Sequence, residues 1–231
     1  MRTTSRFLAL CACLFSSLAS AQIDEDQAGA WYMYFWGTSF EDSRFGLQGD
    51  IQHRNWDLGG DLEQLLIRGG VYWSPENSQS RYTLGYAHIV SGEFGDGDAK
   101  SREDRIYQEA LIPQLTGEKS FLTHRLRFEQ RWVDGQDFRT RFRYFLAWNY
   151  PLNGATLGPG AWYLSLYNEL FINLETDIGN DREVDHFDRN RLYAGFGYTF
   201  RDGMRGQFGY MQQKTDNVSK GQWQFSLFHT F

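Results

Sequence analysis

The chain has 231 residues, of which 17% are aromatic, and its 29 acidic residues outnumber 23 basic ones to give a formal net charge of −6. This negative charge argues against a nucleic acid as a partner. The mean hydropathy is −0.56, and no long apolar run follows the first 21 residues. A helical membrane protein is therefore excluded, whereas a membrane barrel is not, because its strands alternate apolar and polar side chains.

The first 21 residues are typical of an export signal. Two arginines precede an apolar run over residues 7–18, and Ala19-Ser20-Ala21 forms the small-x-small motif that signal peptidase cleaves. We predict a cleaved signal peptide over residues 1–21 and a single domain over residues 22–231. Both cysteines lie in the signal peptide, so the predicted mature chain offers no disulfide, thiolate zinc site or cysteine nucleophile.

Eleven candidate segments follow, and in most of them residues two apart share a chemical character, a period that indicates β-strands. The alternation is cleanest in the later segments. In chain order the eleven segments cover about residues 31–37, 45–56, 62–73, 81–90, 104–113, 120–132, 138–150, 162–174, 189–200, 204–213 and 222–231. The segment "THRLRFEQRW" shows the pattern most clearly. Arg125, Arg127 and Arg131 share one face with Glu129, and the opposite face is largely apolar.

Two architectures fit this alternation. In a soluble sandwich the apolar face forms the core, whereas in an outer-membrane barrel it meets lipid and the charged face lies inside. Aromatic residues near strand ends and long acidic connectors over 91–103, 175–188 and 214–221 favour the barrel. We expect these connectors outside the cell and the short turn in "FRDGM" on the periplasmic side.

The last strand favours the same fold. Trp223, Phe225, Leu227 and Phe231 share one face, which is similar to the signal that the barrel-assembly machinery reads in the last strand of bacterial barrels. We predict an all-β fold, a single antiparallel up-and-down transmembrane barrel of about 10–12 strands. Because closed bacterial barrels have an even number of strands, we expect one of the eleven segments to be misassigned or the first to lie outside the wall.

Several longer stretches support a family assignment. They are "WYMYF", "DLEQLLIRGGV", "EDRIYQEAL", "HRLRFEQRW", "FRYFLAWNYPLN", "YNELFIN", "FDRNRLYAGFGY", "GYMQQ" and "FSLFHTF". In this order they resemble the uncharacterised family catalogued as domain of unknown function 2490, over nearly all of the predicted mature chain. The resemblance implies a Gram-negative envelope barrel without a settled activity, so no catalytic residue is carried over.

The residues predicted to face the barrel interior form the candidate site. The residues predicted to line the interior or bind a ligand are Arg105, Tyr107, Glu109, Arg125, Arg127, Glu129, Arg131, Arg139, Arg141, Arg143, Glu169, Arg189 and Arg191. Further arginines are predicted inward at positions 54, 68, 81 and 205, against only five acidic residues, at positions 50, 103, 109, 129 and 169. Because a buried charge without a partner costs several kcal/mol, this interior is wet, binds an anion, or is packed with ion pairs.

Three functions remain open. The first is a structural or narrow-channel, porin-like protein whose arginines favour small anions; the second is an envelope enzyme that hydrolyses lipid or peptide with interior carboxylates; the third is a soluble periplasmic barrel that binds a ligand. We assign no catalytic residue, metal site or cofactor, since the chain has no HExxH pair and no G-x-S-x-G elbow. The expected partners are outer-membrane lipid, the assembly machinery and a small anionic solute.

Overall fold

The computed structural model describes residues 25–95 and 97–231, so the predicted signal peptide lies outside the described residues. These residues form eleven strands: β1 (Gly29–Ser39), β2 (Phe45–Asn55), β3 (Leu62–Trp73), β4 (Arg81–Gly92), β5 (Lys100–Thr116), β6 (Ser120–Val133), β7 (Arg139–Pro151), β8 (Trp162–Asn173), β9 (Phe187–Arg201), β10 (Met204–Lys214) and β11 (Ser219–Thr230). In this part of the chain no helix has the length and apolar character needed to cross a membrane. The predicted all-β fold is confirmed, and each predicted segment corresponds to one strand.

The strands close into one barrel in chain order. Each consecutive pair is antiparallel, and β1 pairs with β11 in parallel, from Gly29 opposite Gln222 to Gly37 opposite Thr230. The expectation of an even strand number is therefore wrong, and the first segment lies in the wall. Since strands alternate in direction, an odd number makes the first and last run the same way, so the antiparallel prediction fails at this closing pair alone.

The barrel has two distinct ends. One end, here called the loop end, holds the connectors 56–61, 93–99, 134–138, 174–186 and 215–218. The opposite end holds Phe231 and the turns 117–119 and 202–203, which places the three long acidic connectors opposite the short turn as predicted. The connectors 74–80 and 152–161 depart from that pattern because they are long and lie at the Phe231 end.

The alternation decides which side chains fill the interior. In β7, for example, Arg139, Arg141 and Arg143 are buried inside while Phe142 is 37% exposed on the outer face. Every strand exposes at least one large apolar side chain on that outer face. One from each strand, in chain order, is Tyr32, Ile51, Ile67, Leu84, Ile106, Leu126, Phe142, Trp162, Phe196, Phe208 and Phe225. The buried core of this protein is therefore the barrel interior, and much of it is polar.

Glycines at inward positions leave room for large rings. A Cβ atom at Gly197 would lie 2.0 Å from the ring of Tyr163, and one at Gly85 would lie 2.2 Å from the ring of Tyr107. Both rings are almost fully buried, with Tyr163 at 0% and Tyr107 at 3% exposure. Each tyrosine ring therefore occupies space next to the glycine opposite it on the neighbouring strand, where a side chain would not fit.

Candidate functional site

The structure brings most of the predicted interior residues together in one polar core. Eleven of the thirteen are buried, and only Arg125 and Arg189 are partly exposed. Arg54 and Arg68 are buried as well, whereas Arg81 and Arg205 lie near the Phe231 end and are half-buried. The alternating period of the strands positions all of them, since residues two apart on a strand point to the same face.

Glu129 is the centre of the polar core. It is 1% exposed, and its two oxygens accept hydrogen bonds of 2.6 Å from Nη2 of Arg141 and Nη1 of Arg143. Arg105 and Arg127 lie farther away, with nitrogen to oxygen distances of 3.7 and 3.8 Å. Four guanidinium groups thus surround one carboxylate, which gives strong electrostatic attraction at low local dielectric.

Two further carboxylates extend this network across the interior. Glu169 accepts hydrogen bonds from Nη2 of Arg125 at 2.6 Å and from Nη2 of Arg143 at 2.7 Å. Glu109 accepts from Arg127 and, at 3.1 Å, from the side-chain amide of Gln48. Because Arg143 contacts both Glu129 and Glu169, the ion pairs form one connected cluster.

The loop end of the interior holds a second group of charges. Glu103 accepts hydrogen bonds from Arg105 at 2.7 Å and from Arg131 at 2.5 Å. Arg139 lies directly opposite Arg131 in the β6–β7 register. Arg139 is 7% exposed, its Nε has no hydrogen-bond partner among the described residues, and none of their carboxylates forms an ion pair with it.

Aromatic rings support the guanidinium groups from one side. The ring of Phe171 has Arg143 at 4.4 Å and Arg191 at 4.7 Å from its centroid, and Trp31 has Arg54 at 3.8 Å. Such cation–π contacts are worth more when the cation is desolvated. Sequence reasoning missed Phe171, although it shares the face of Glu169 two residues earlier, and Trp31, because aromatic residues occupy both faces of β1.

Two buried or nearly buried acids were also missed. Glu63 is 6% exposed and accepts hydrogen bonds from Nε1 of Trp31 at 2.8 Å and from Gln222 at 3.2 Å. Asp188 accepts from Arg141 at 2.5 Å and from Arg189 at 3.0 Å. Both lie beside register shifts, at Arg54/Asn55 and at Phe171/Ile172. A strict period of two cannot predict the face of a residue next to a bulge.

The β8–β9 connector folds over the loop end beside Arg139. The backbone N–H of Asp137 donates to the carbonyl of Ile178 at 2.9 Å, and Ile178 is 6% exposed. The carboxylate of Glu175 accepts from the backbone N–H of Thr140 at 2.6 Å and from its hydroxyl. The connector therefore contacts the chain on both sides of Arg139.

Most charged side chains on the inner face of the described residues are shielded from solvent. Nine arginines and six acidic residues are buried there: Arg54, Arg68, Arg105, Arg127, Arg131, Arg139, Arg141, Arg143 and Arg191, with Asp50, Glu63, Glu103, Glu109, Glu129 and Glu169. Arginines outnumber acids, so the cluster is cationic. Glu109, Glu129 and Glu169 are all buried. The residues that the structure describes contain no group of three His, Cys, Asp or Glu side chains that could hold a metal ion.

The outer face has an apolar groove. Its volume is about 1010 Å³, and it lies across β8 to β11, β1 and β2. Apolar side chains such as Tyr32, Ile51, Phe196, Phe208 and Phe225 line it. It belongs to the exposed apolar surface and brings no charged group to the interior network.

One comparison with known proteins identifies a family. Residues 28–224 match the family described as "Protein of unknown function (DUF2490)". No curated protein matches the chain significantly.

Proposed function

We propose that this chain, which belongs to the DUF2490 family over residues 28–224, is an integral outer-membrane barrel. We further propose that its interior is closed and filled with ion pairs. The family description assigns no activity. The proposal therefore depends on the chemistry of the two faces of the barrel wall.

The exposed apolar surface is the observation that supports membrane insertion. Each of the eleven strands has a large apolar side chain on its outer face, and several are more than half exposed, such as Ile67 at 51% and Leu84 at 60%. Monomeric soluble proteins rarely expose continuous apolar surfaces larger than a few hundred Å². An outer-membrane barrel has this arrangement because its outer face contacts acyl chains.

The burial of the arginines supports a closed interior. In an aqueous channel the charged lining would stay in contact with water, yet Arg141 is 3% and Glu129 1% exposed. Barrels of about eight strands are filled by side chains, and those of sixteen or more hold channels. With eleven strands filled by ion pairs and aromatic rings, this barrel belongs with the packed ones. The interior arginines therefore act first as counter-ions of the buried carboxylates.

We expect export and assembly to follow the route of other bacterial envelope barrels. The predicted signal peptide would direct the chain across the inner membrane, and the assembly machinery would recognise β11. Trp223 and Phe225 on this strand are exposed on the outer face, at 36% and 42%. Outer-membrane lipid is the proposed partner of that face.

Cell fractionation combined with a heat-modifiability gel tests the membrane proposal. The full chain should partition with the outer membrane, require detergent for extraction, and migrate faster when unheated than when boiled. Recovery in the soluble periplasmic fraction without detergent would contradict insertion and favour the soluble binder.

Planar-bilayer recordings test the closed interior separately. Refolded protein that gives the heat-modifiable band should show no conductance steps. Regular steps with anion selectivity would show an open channel and would contradict the packed interior, while leaving membrane insertion intact.

A further inference from the structure

We infer that Arg139 is the anchor of a binding site for one small oxyanion, of the phosphate or carboxylate class, at the loop end of the barrel interior. This goes beyond the proposed function, because a closed barrel could exist without any ligand. It is independent of membrane insertion and depends only on how the charges are arranged inside the wall.

The first argument is the missing counter-ion. Arg105, Arg131 and Arg139 are neighbours across β5, β6 and β7, since Arg105 lies opposite Arg131 and Arg131 opposite Arg139. Directly opposed residues in antiparallel strands have Cα atoms only about 4.5–5.5 Å apart. Glu103 bonds the first two guanidinium groups, and among the described residues no carboxylate pairs with the third.

The second argument is burial. The side chain of Arg139 is more than nine-tenths buried, and its Nε has no hydrogen-bond partner among the described residues. A buried charge without a partner strongly destabilises a fold. An oxyanion would supply both a counter-charge and acceptors for the planar guanidinium fork, which matches phosphate and carboxylate groups.

The third argument is the cover over the site. The β8–β9 connector packs on the 134–138 turn through Ile178 and holds Thr140 through Glu175. The turn immediately precedes Arg139 in the chain, and Thr140 follows it. An anion bound to Arg139 would therefore be shielded from water, which strengthens its attraction to the guanidinium group. A closed cover also fits a ligand that is held rather than passed through.

Binding can be measured on the refolded full-length protein in detergent. Inorganic phosphate or acetate is added at constant ionic strength, with chloride as the replacement salt, and the temperature at which the heat-modifiable band disappears is recorded. The wild type should gain thermal stability with increasing phosphate and acetate, because a ligand that binds only the folded state stabilises it. Arg139→Gln should lose this response.

The matched control is Arg81→Gln. Arg81 is also an inward arginine for which the described residues provide no ion pair, but it lies near the Phe231 end and stacks on Tyr72 at 4.8 Å. It should keep the wild-type response. Arg139→Lys retains the charge but lacks the planar fork, so it should bind phosphate more weakly than the wild type.

The effect without ligand adds a second readout. Arg139→Gln should be at least as stable as the wild type in chloride alone, since it removes a buried charge that forms no ion pair with the residues that the structure describes. An unchanged phosphate response in Arg139→Gln, or no response in the wild type, would overturn the inference. If Arg139→Gln does not fold, wild-type affinity in Arg139→Lys would overturn it.

A response to a short-chain phosphatidic acid but not to inorganic phosphate or acetate would assign the site to lipid headgroups and overturn the small-anion assignment.

Discussion

Arg141 lies opposite Glu129 in the β6–β7 register, and its Nη2 donates to Oε2 of that carboxylate across 2.6 Å. The same guanidinium group reaches Asp188 on β9 through Nη1 at 2.5 Å. One side chain thus joins two carboxylates in the barrel interior. Both partners of the Arg141–Glu129 pair are almost completely buried. Removing one of them would leave the other charge in the interior without this partner, which strongly destabilises a fold.

Removing the carboxylate at the centre of the network should therefore destabilise the barrel severely. Glu129→Gln leaves Arg141 and Arg143 without their shared counter-charge, and we expect a loss of about 3–5 kcal/mol in the free energy of unfolding. Urea unfolding in phospholipid vesicles, followed by tryptophan fluorescence, measures it. Glu118→Gln, in an exposed turn, is the control and should match the wild type. A loss below about 1 kcal/mol for Glu129→Gln, the range of a surface ion pair, would contradict the network's structural role.

The ion pair between Asp50 and Arg68 allows a different experiment. Nε of Arg68 donates to Oδ2 of Asp50 at 2.9 Å, next to an apolar cluster that contains Leu66 and Tyr107. Each single change, Asp50→Leu or Arg68→Met, leaves one buried charge unpaired. The double variant removes both charges and should be more stable than either single variant, because well-packed apolar residues can replace a buried ion pair at little cost. Additive losses in this double-mutant cycle would show that the two charges do not interact.

The tight contact between Gly197 and Tyr163 predicts a large effect from a single methyl group. Gly197→Ala places a Cβ atom against a ring that is 0% exposed, so we expect a loss of about 1–3 kcal/mol from overpacking. At Gly69, also within a strand, a Cβ atom would meet nothing within 4 Å. Gly69→Ala should therefore be neutral or slightly stabilising. Equal urea midpoints for the two variants would be inconsistent with this packing.

A charged residue on the outer face distinguishes lipid from water as its environment. Ile67 in β3 is 51% exposed, and Leu58 in the 56–61 connector is 62% exposed. Ile67 lies midway along β3, where a membrane barrel crosses the bilayer midplane, so Ile67→Arg should cost about 2–4 kcal/mol. Leu58→Arg should cost almost nothing. The measurement is unfolding in phospholipid vesicles. Two equally stable variants would indicate that the face around Ile67 is in water.

The sequence alone was sufficient to predict the strands and which residues share each of the two faces of a strand. A period of two is a local property of the extended chain, so Arg125, Arg127 and Arg131 were placed together on one face before any pairing was known. The prediction failed where the period is interrupted. Glu63 and Asp188 lie beside register shifts, and their places in the interior depend on which strand lies opposite.

The closure and the pairing were decided only by the tertiary structure. Whether eleven strands close through a parallel β1–β11 pair depends on contacts between residues nearly 200 positions apart, such as Gly29 and Gln222, and no local pattern contains that information. For the same reason the sequence could show an excess of inward arginines, but it could not show which of them pair with acids. Glu103 pairs with Arg105 and Arg131, whereas Arg139 forms no ion pair within residues 25–95 and 97–231. Ion pairing requires atoms within a few ångströms of each other, and the register of neighbouring strands sets those distances.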